Sequence, residues 1–364
     1  MNVGVFATEG DSRLTGIQRV TVDTMRELLK IDAKNQYFKL EGEYYDLPII
    51  KDAKEWLLLG MNYPNQMDFI CKAHKIDVLY SFFPDIPVTY PCKKVLTIHD
   101  VIPLIHPEWF TKEMYQWFNE VLRKSALEAD KIIAMSETTK QDIMRHYGVE
   151  EDKIKVIYSG IQPSILAKCS CVDIKKKFGI SGKYILSVCT LEPRKNLKGL
   201  INAFLEYKRK YSDSDLQLVL TGKIGWEDET VEFIKSNEKY HEDIILTDFV
   251  SGEELALLME KALAMAYVSF YEGFGLPILE GMAAGKAVIS SDTSSMPEVG
   301  GDAVIYCNPY DRESIVNAIE RVVEDEDYRK QIEQRAKQRA ITFSYERTAK
   351  QVLEVLEEVV NVKR

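Results

Sequence analysis

Tyr271-Glu272-Gly273-Phe274-Gly275-Leu276-Pro277-Ile278-Leu279-Glu280 follows the apolar run of residues 264–268, and this junction decides the fold. A short apolar run ending in a glycine-rich turn reads as a buried strand feeding a helix. Gly273 and Gly275 permit positive φ and let the backbone approach a ligand closely. Pro277 suits the first turn of a helix, where its missing N–H costs nothing. Consecutive N–H groups at a helix start make an anion site. The dipole alone favours a phosphate there by about 0.3–2 kcal/mol. Taken alone, the stretch also fits a plain glycine-rich turn into a capped helix.

Outward from this junction, short apolar runs alternate with longer amphipathic stretches. Residues 3–6, 78–80, 95–98, 132–135 and 155–157 read as strands in the first half, and residues 184–189, 216–220, 244–246, 264–268 and 287–289 in the second. Residues 17–29 have helical periodicity, with Ile17, Val20, Thr24 and Leu28 near one face. Residues 107–129 and 138–147 also read as helices. Strands that alternate with helices imply parallel sheets with crossover helices. The stretch 159–182, with Gly160, Pro163 and Gly179, reads as a linker. The expected fold is α/β, with two Rossmann-like domains over residues 1–165 and 166–345 that face each other. A helix over residues 346–364 is expected to pack back toward the first domain. Ligands of open parallel sheets bind beyond the carboxyl ends of strands, so the residues just after each strand carry the chemistry.

Thr190-Leu191-Glu192-Pro193-Arg194-Lys195-Asn196 follows the strand of residues 184–189. Two adjacent cations there can grip a diphosphate, Arg194 through a planar fork and Lys195 as a point charge; the competing reading is an exposed loop with surface charges. Thr97-Ile98-His99-Asp100 ends another strand and places a side chain that titrates near neutral pH. His74, His106, His146 and His241 have no such context and read as structural. Asp213-Ser214-Asp215 precedes a strand and reads as a turn rather than a metal ligand. Gly281-Met282-Ala283-Ala284-Gly285-Lys286 is no phosphate loop, because only three residues separate the glycines and Ala287 stands where a hydroxyl is needed.

The 364 residues are 46% hydrophobic and 29% charged, the range of globular protein. A net charge of -10 opposes nucleic-acid binding, which needs an excess of cations to displace counterions. Lys93-Lys94 and Arg123-Lys124 are the local basic pairs that could touch an anionic membrane, or simply solvated faces. The six cysteines include no CxxC pair and no accompanying histidine cluster, so no zinc site is expected. Cys189 reads as a buried free thiol, Cys169 and Cys171 are close in sequence, and reduced thiols suit the cytoplasm. The N-terminus lacks the features of a signal peptide, and no apolar run reaches 18 residues. A cytoplasmic protein with at most peripheral membrane contact is expected.

Together these elements resemble the retaining glycosyltransferases of the GT-B fold, glycosyltransferase group 1 or family 4, most strongly over residues 184–310. The family's Glu-x7-Glu signature is met by Glu272 and Glu280, and its Pro-Arg-Lys-Asn turn by Pro193-Arg194-Lys195-Asn196. Ser136-Glu137-Thr138-Thr139-Lys140, Asp248-Phe249-Val250-Ser251 and Phe343-Ser344-Tyr345-Glu346 are similar to family segments, with Tyr345 where Trp is usual. Thr15-Gly16-Ile17 keeps only Gly16 of a Gly-Gly pair. His99-Asp100-Val101-Ile102-Pro103-Leu104, followed by Pro107-Glu108, resembles the mannosyltransferase-like branch.

The resemblance implies a GT-B fold whose two sheets face an interdomain cleft, with the acceptor side on the first domain and the nucleotide-sugar side on the second. It implies transfer of a hexose, with GDP-mannose as first donor, to a hydroxyl of a glycan, lipid-linked or protein acceptor. Neither metal nor cofactor is expected. Glu280 would bind ribose hydroxyls and Glu272 the transferred sugar. The backbone of Gly273, Phe274, Gly275 and Leu276 would meet sugar hydroxyls and phosphate. Arg194 and Lys195 would neutralise the leaving diphosphate, and Gly16 would approach it. His99 would lie beside the donor sugar, and Val250 would hold the base through its backbone. The acceptor surface is expected near loops such as residues 42–65. Alternatives are a non-catalytic sugar-nucleotide-binding subunit and a sugar-nucleotide epimerase.

Overall fold

The computed structural model describes residues 1–6, 16–40, 66–82, 89–161, 173–223 and 242–361. Thr15, residues 42–65, Pro163, Cys169, Cys171 and His241, all singled out above, lie outside the described residues. The chain divides into two compact units, Met1–Gly160 with Tyr345–Arg364, and Ile161–Ser344.

The first unit is built on a parallel sheet of β1 (Asn2–Phe6), β2 (Gln36–Lys39), β3 (Val78–Ser81), β4 (Lys93–Ile98), β5 (Lys131–Ala134) and β6 (Ile154–Val156), in the order β2-β1-β3-β4-β5-β6. β3 is buried at every position, as a strand covered on both faces must be. The helix Gly16–Ile31 buries Val20, Thr24 and Leu28, and packs against the helix Tyr345–Asn361. Ile17, read as part of that buried face, is 37% exposed at the helix start. The terminal helix buries Ala349, Val352, Val355, Leu356 and Val359 at helical spacing, against Val3, Val5, Val78 and Tyr80. Its packing partners are thus in the first unit, although the second separates it from them in sequence.

Two features differ from the sequence expectation. Residues 107–129 are not one helix. A 3-10 turn at Pro107–Trp109 gives way to the helix Lys112–Trp117, a π turn at Phe118–Leu122 and the helix Arg123–Glu128. Thr111 sets the break: its backbone is extended and its hydroxyl accepts from Met114 N at 3.3 Å, so a new helix starts there. The strands β2 and β12 (Ile305–Cys307) were not expected, and both lie at sheet edges. The sequence Gln36-Tyr37-Phe38-Lys39 has exposed ends and no sustained apolar pattern.

The second unit repeats the plan with β7 (Tyr184–Val188), β8 (Gln217–Thr221), β9 (Ile244–Leu246), β10 (Ala264–Tyr267), β11 (Val288–Ser291) and β12, in the order β12-β11-β10-β7-β8-β9, all parallel. β10 lies directly beside β7, with Ala264 opposite Ile185 and Met265 opposite Leu186. The carboxyl ends of these two strands therefore open side by side, although about 80 residues separate them. The turn here spans Tyr211–Ser214, closed by Ser214 N donating to the Tyr211 carbonyl at 3.0 Å; of the stretch Asp213-Ser214-Asp215 expected as a turn, Asp215 lies beyond it, and the Ser214 hydroxyl accepts from Leu216 N.

Gly222 follows β8 and lies against the backbone leaving β7. Its φ is +147°, and a Cβ there would stand 1.8 Å from the carbonyl oxygen of Cys189. That carbonyl belongs to the strand end from which the Arg194 loop departs. Gly222→Ala is expected to destabilise the protein by on the order of 3 kcal/mol, through strain and backbone displacement. Chemical denaturation measures this, and an unchanged midpoint would refute the close approach.

Candidate active site

The loop after β7 is a 3-10 turn, Pro193–Lys195, closed by Asn196 in the left-handed region at φ 54°. Asn196 earns that conformation by its contacts. Its Nδ2 donates to the carbonyls of Val268 at 3.1 Å and Pro309 at 2.8 Å, tying the loops after β7, β10 and β12 together. Phe270 N donates to the carbonyl of Arg194 at 2.9 Å. The two loops thus share a backbone bond as well as side-chain contacts.

Across this seam Glu272 meets both cations. Lys195 Nζ donates to its Oε1 at 2.7 Å and Arg194 Nη1 to its Oε2 at 2.7 Å. Arg194 Nε also pairs with Glu192 Oε1 at 2.6 Å. Two cations and two carboxylates give a formally neutral cluster. Lys195 is only 8% exposed, so the exposed-loop reading of this turn fails. Lys195 donates to the Tyr267 hydroxyl at 2.7 Å as well. Burial, and then the Glu272 charge, keep that hydroxyl protonated. Burial also works against the ionised form of Glu272, but the charges of Arg194 and Lys195 outweigh it and hold the carboxyl down at about 2. Glu272 is therefore ionised throughout the physiological range and cannot serve as a general acid.

The loop after β11 holds the Glu272 backbone. Ser294 Oγ accepts from Glu272 N at 3.0 Å, and Ser295 Oγ donates to the carbonyls of Glu272 and Phe274 at 2.9 and 3.0 Å. Ser294 is itself left-handed at φ 51°. Of the two signature glycines only Gly275 has positive φ, at 102°; Gly273 does not use that freedom. Gly275 is the N-cap of the helix Leu276–Ala283 and brings no side chain to its first N–H groups. Pro277 stands in the first turn, as its chemistry requires. Glu280 lies one turn inside, with its side chain buried.

Arg194, Lys195, Glu272, Gly273, Phe274, Gly275, Leu276, Val250 and Glu280 all belong to the second unit. Val250 is buried after β9, next to the capping box in which Ser251 and Glu254 close the helix Gly252–Lys261. His99 and Gly16 belong to the first unit. Gly16 opens the helix Gly16–Ile31. His99 follows β4; its Nε2 lies 3.1 Å from the carbonyl of Phe82, and its own carbonyl accepts from the Thr139 hydroxyl at 3.3 Å. A carbonyl only accepts, so Nε2 carries the proton and Nδ1 is an acceptor. Burial holds the imidazole below its ordinary value, ahead of the opposing Phe82 and Asp100 effects, so His99 is neutral rather than poised to titrate at pH 7. Asp100 caps the next segment by accepting from Ile102 N at 3.0 Å. Among the basic pairs, Lys93 is bound to Asp130 at 2.9 Å and Lys124 lies 3.9 Å from Glu128.

Sequence reasoning missed Tyr267, Glu192, Ser294 and Ser295. The signal for the serines was present: Ser290-Ser291-Asp292-Thr293-Ser294-Ser295 follows a strand, where functional loops start. Among the described residues no three His, Cys, Asp or Glu side chains are arranged to hold a metal ion, and no helix is long and apolar enough to cross a membrane.

The profile of glycosyl transferases group 1 matches residues 173–339, and that of glycosyltransferase family 4 matches residues 37–165. The chain is 30% identical over 268 residues to O-antigen chain mannosyltransferase B of Escherichia coli, covering 72% of this chain and 69% of that protein. It is 28% identical over 278 residues to the serotype-specific mannosyltransferase WbdA of Escherichia coli, again covering 72% of this chain but only 33% of that longer protein. Its fold matches that of HepE from Anabaena, solved in complex with UDP-glucose, with a TM-score of 0.73 and 19% identity, over 98% of this chain and 100% of that one. The chain belongs to the group 1, family 4 glycosyltransferases, and its two sheets have the GT-B architecture.

Removing the negative charge at Glu272 leaves the buried Lys195 without its carboxylate and takes one of two carboxylates from the half-buried Arg194. Glu272→Gln is expected to lower stability by about 3–5 kcal/mol, the scale for breaking one side of a buried pair. The Glu272 carboxyl titrates lower in the folded chain than its ordinary 4.5, so its contribution is complete above about 4.5 and is lost as pH falls toward 2. His99 acts in a higher window, because its neutral form is the folded one: its contribution is complete above 6.5 and declines as pH drops below that. The difference in denaturation midpoint between wild type and Glu272→Gln from pH 7 to pH 3 measures the Glu272 effect, and the same difference between wild type and His99→Gln measures that of His99. Equal midpoints of wild type and Glu272→Gln at pH 7 would contradict the buried triad.

Proposed function

We propose that this chain transfers a hexose, with mannose from GDP-mannose as the first donor to test, to a hydroxyl of a growing polysaccharide or lipid-linked glycan. Retention of configuration and independence from metal are part of the proposal. The observation that carries it is the pair Arg194 and Lys195, bound to Glu272 beside a helix start whose N-cap is glycine. The names of the two mannosyltransferase relatives support the choice of mannose and of a glycan acceptor.

The leaving group is a nucleoside diphosphate, a stable anion that needs charge stabilisation more than protonation. Arg194, Lys195 and the N-terminus of the helix Leu276–Ala283 supply it as fixed charges in a partly dry site. Their pairing with Glu272 holds them in place before the donor arrives, so little reorganisation remains for the reaction. Arg194 and Lys195 each donate to one Glu272 oxygen, and the Tyr267 hydroxyl also bonds the carboxylate, so one of its four acceptor positions is left for a sugar hydroxyl. The sugar passes through an oxocarbenium-like state. For retention, the acceptor enters on the face the phosphate leaves, and a phosphate oxygen takes the acceptor's proton. Glu280 binds the ribose, the Val250 backbone the base, and Gly16 approaches the diphosphate. His99 serves as a hydroxyl acceptor through Nδ1 rather than as an acid. A cytoplasmic location with peripheral membrane contact fits an acceptor on a lipid carrier.

A thermal-shift panel of nucleotides and sugar nucleotides tests the donor, because a ligand of the folded state raises its stability. GDP and GDP-mannose are expected to raise the midpoint more than UDP and UDP-glucose; no shift with any nucleotide would sink the proposal. Lys195→Ala should lower turnover by roughly 10²-fold, the scale for one electrostatic donor, and near-normal turnover would remove Lys195 from catalysis. Activity should persist in EDTA; loss that magnesium restores would contradict the metal-independent route.

A further inference from the structure

Tyr310 is the most exposed aromatic residue among the described ones, at 65%, yet its backbone is firmly held. Its N–H donates to Asn308 Oδ1 at 2.9 Å, and Asp311 N donates to the Asn308 carbonyl at 3.1 Å. Asn308 N in turn donates to Ser314 Oγ at 3.0 Å, and Asp311 caps the helix Arg312–Glu324. The carbonyl of Pro309 accepts from Asn196, next to Lys195. Below the Tyr310 ring lies Phe270, with centroids 4.9 Å apart and planes 26° from parallel. Phe270 is fixed at both backbone ends, by the Arg194 carbonyl and by the Thr293 hydroxyl at 2.9 Å. One face of the Tyr310 ring is backed by Phe270, and the ring as a whole stands in solvent.

A rigid, open aromatic face beside a polar site is suited to a flat apolar patch on a polar ligand. The C–H groups on one side of a pyranose ring form such a patch, and they meet the negative face of the aromatic ring favourably. A nucleobase would also stack, but the sheet order separates the two choices. Neighbouring strands lie about 4.8 Å apart, so β12 is about 24 Å from β9, where the base is assigned, and only about 10 Å from β10, which leads to Glu272. One or two sugar units span that shorter distance. With the base and sugar where the transfer reading puts them, the platform lies on the Glu272 side of the sheet and away from the base.

We propose that Tyr310, backed by Phe270, is a carbohydrate subsite that stacks on a pyranose ring of the glycan acceptor. This rests on the glycosyl-transfer reading above. It makes Tyr310 a residue that sets acceptor affinity and leaves the chemistry at Glu272, Arg194 and Lys195 unchanged.

Saturation-transfer NMR on the full chain, with α-linked mannose oligosaccharides of two to four units in the presence of GDP, tests it. GDP affinity, measured by calorimetry on the same samples, reports whether the nucleotide site is intact. Wild type should bind both. Tyr310→Ala should lose at least about 10-fold in oligosaccharide affinity while still binding GDP, and Tyr310→Phe and Tyr310→Trp should keep the signal. An undiminished signal with Tyr310→Ala overturns the subsite. So does a wild type that binds GDP but no oligosaccharide, and in that case the transfer reading survives. A wild type that binds no nucleotide defeats the transfer reading, and the subsite with it.

Discussion

A buried carboxylate held between two cations organises the second unit's functional edge. Glu272 binds Arg194 through one oxygen and Lys195 through the other, each at 2.7 Å. Burying any of these charges alone would be prohibitive; together they are tolerated because each finds its partner. The pairing joins the loop after β7 to the loop after β10. Ser294 and Ser295 then fasten the Glu272 backbone to the loop after β11, and Asn196 reaches the loop after β12. Four strand ends are laced around one side chain.

That lacing has an electrostatic consequence. Arg194 and Lys195 are fixed before any ligand arrives, and their charge is balanced by Glu192 and Glu272. A diphosphate bound as proposed would meet donors already oriented, in a cluster whose own charges cancel. The arrangement suits stabilising charge that develops on a leaving group, which rewards fixed dipoles over mobile ones. Within the same electrostatic picture Glu272 stays ionised, and His99, in the other unit, stays neutral. The rigid support of Phe270 by the Arg194 carbonyl carries the same order outward to Tyr310.

Much of this was legible in the chain. The runs that became β3, β8, β10 and β11 are buried at every position and stand out from their polar surroundings, and those of β1, β4, β5, β7 and β9 nearly so. Pro277 marked a helix start, and of the two glycines read as permitting positive φ, Gly275 uses it as the helix N-cap. The pairing of Glu272 with Arg194 and Lys195 was not legible, because the partners stand 78 and 77 positions apart and only the adjacency of β10 to β7 closes the gap. Gly273 was credited with a freedom it does not use. The edge strands β2 and β12 were missed because an edge needs less apolar surface than a centre. Residues 107–129 looked like one helix because periodicity does not register a cap such as Thr111. Tyr267 looked like a core residue, which it is, and only coordinates show its hydroxyl at Lys195.

The most direct measurement is a crystal structure of the full chain with GDP bound. The account predicts the β-phosphate within about 3.2 Å of an Arg194 or Lys195 nitrogen, beside the first turn of the helix Leu276–Ala283. A nucleotide bound elsewhere, with Arg194 and Lys195 making no contact to it, would contradict the account.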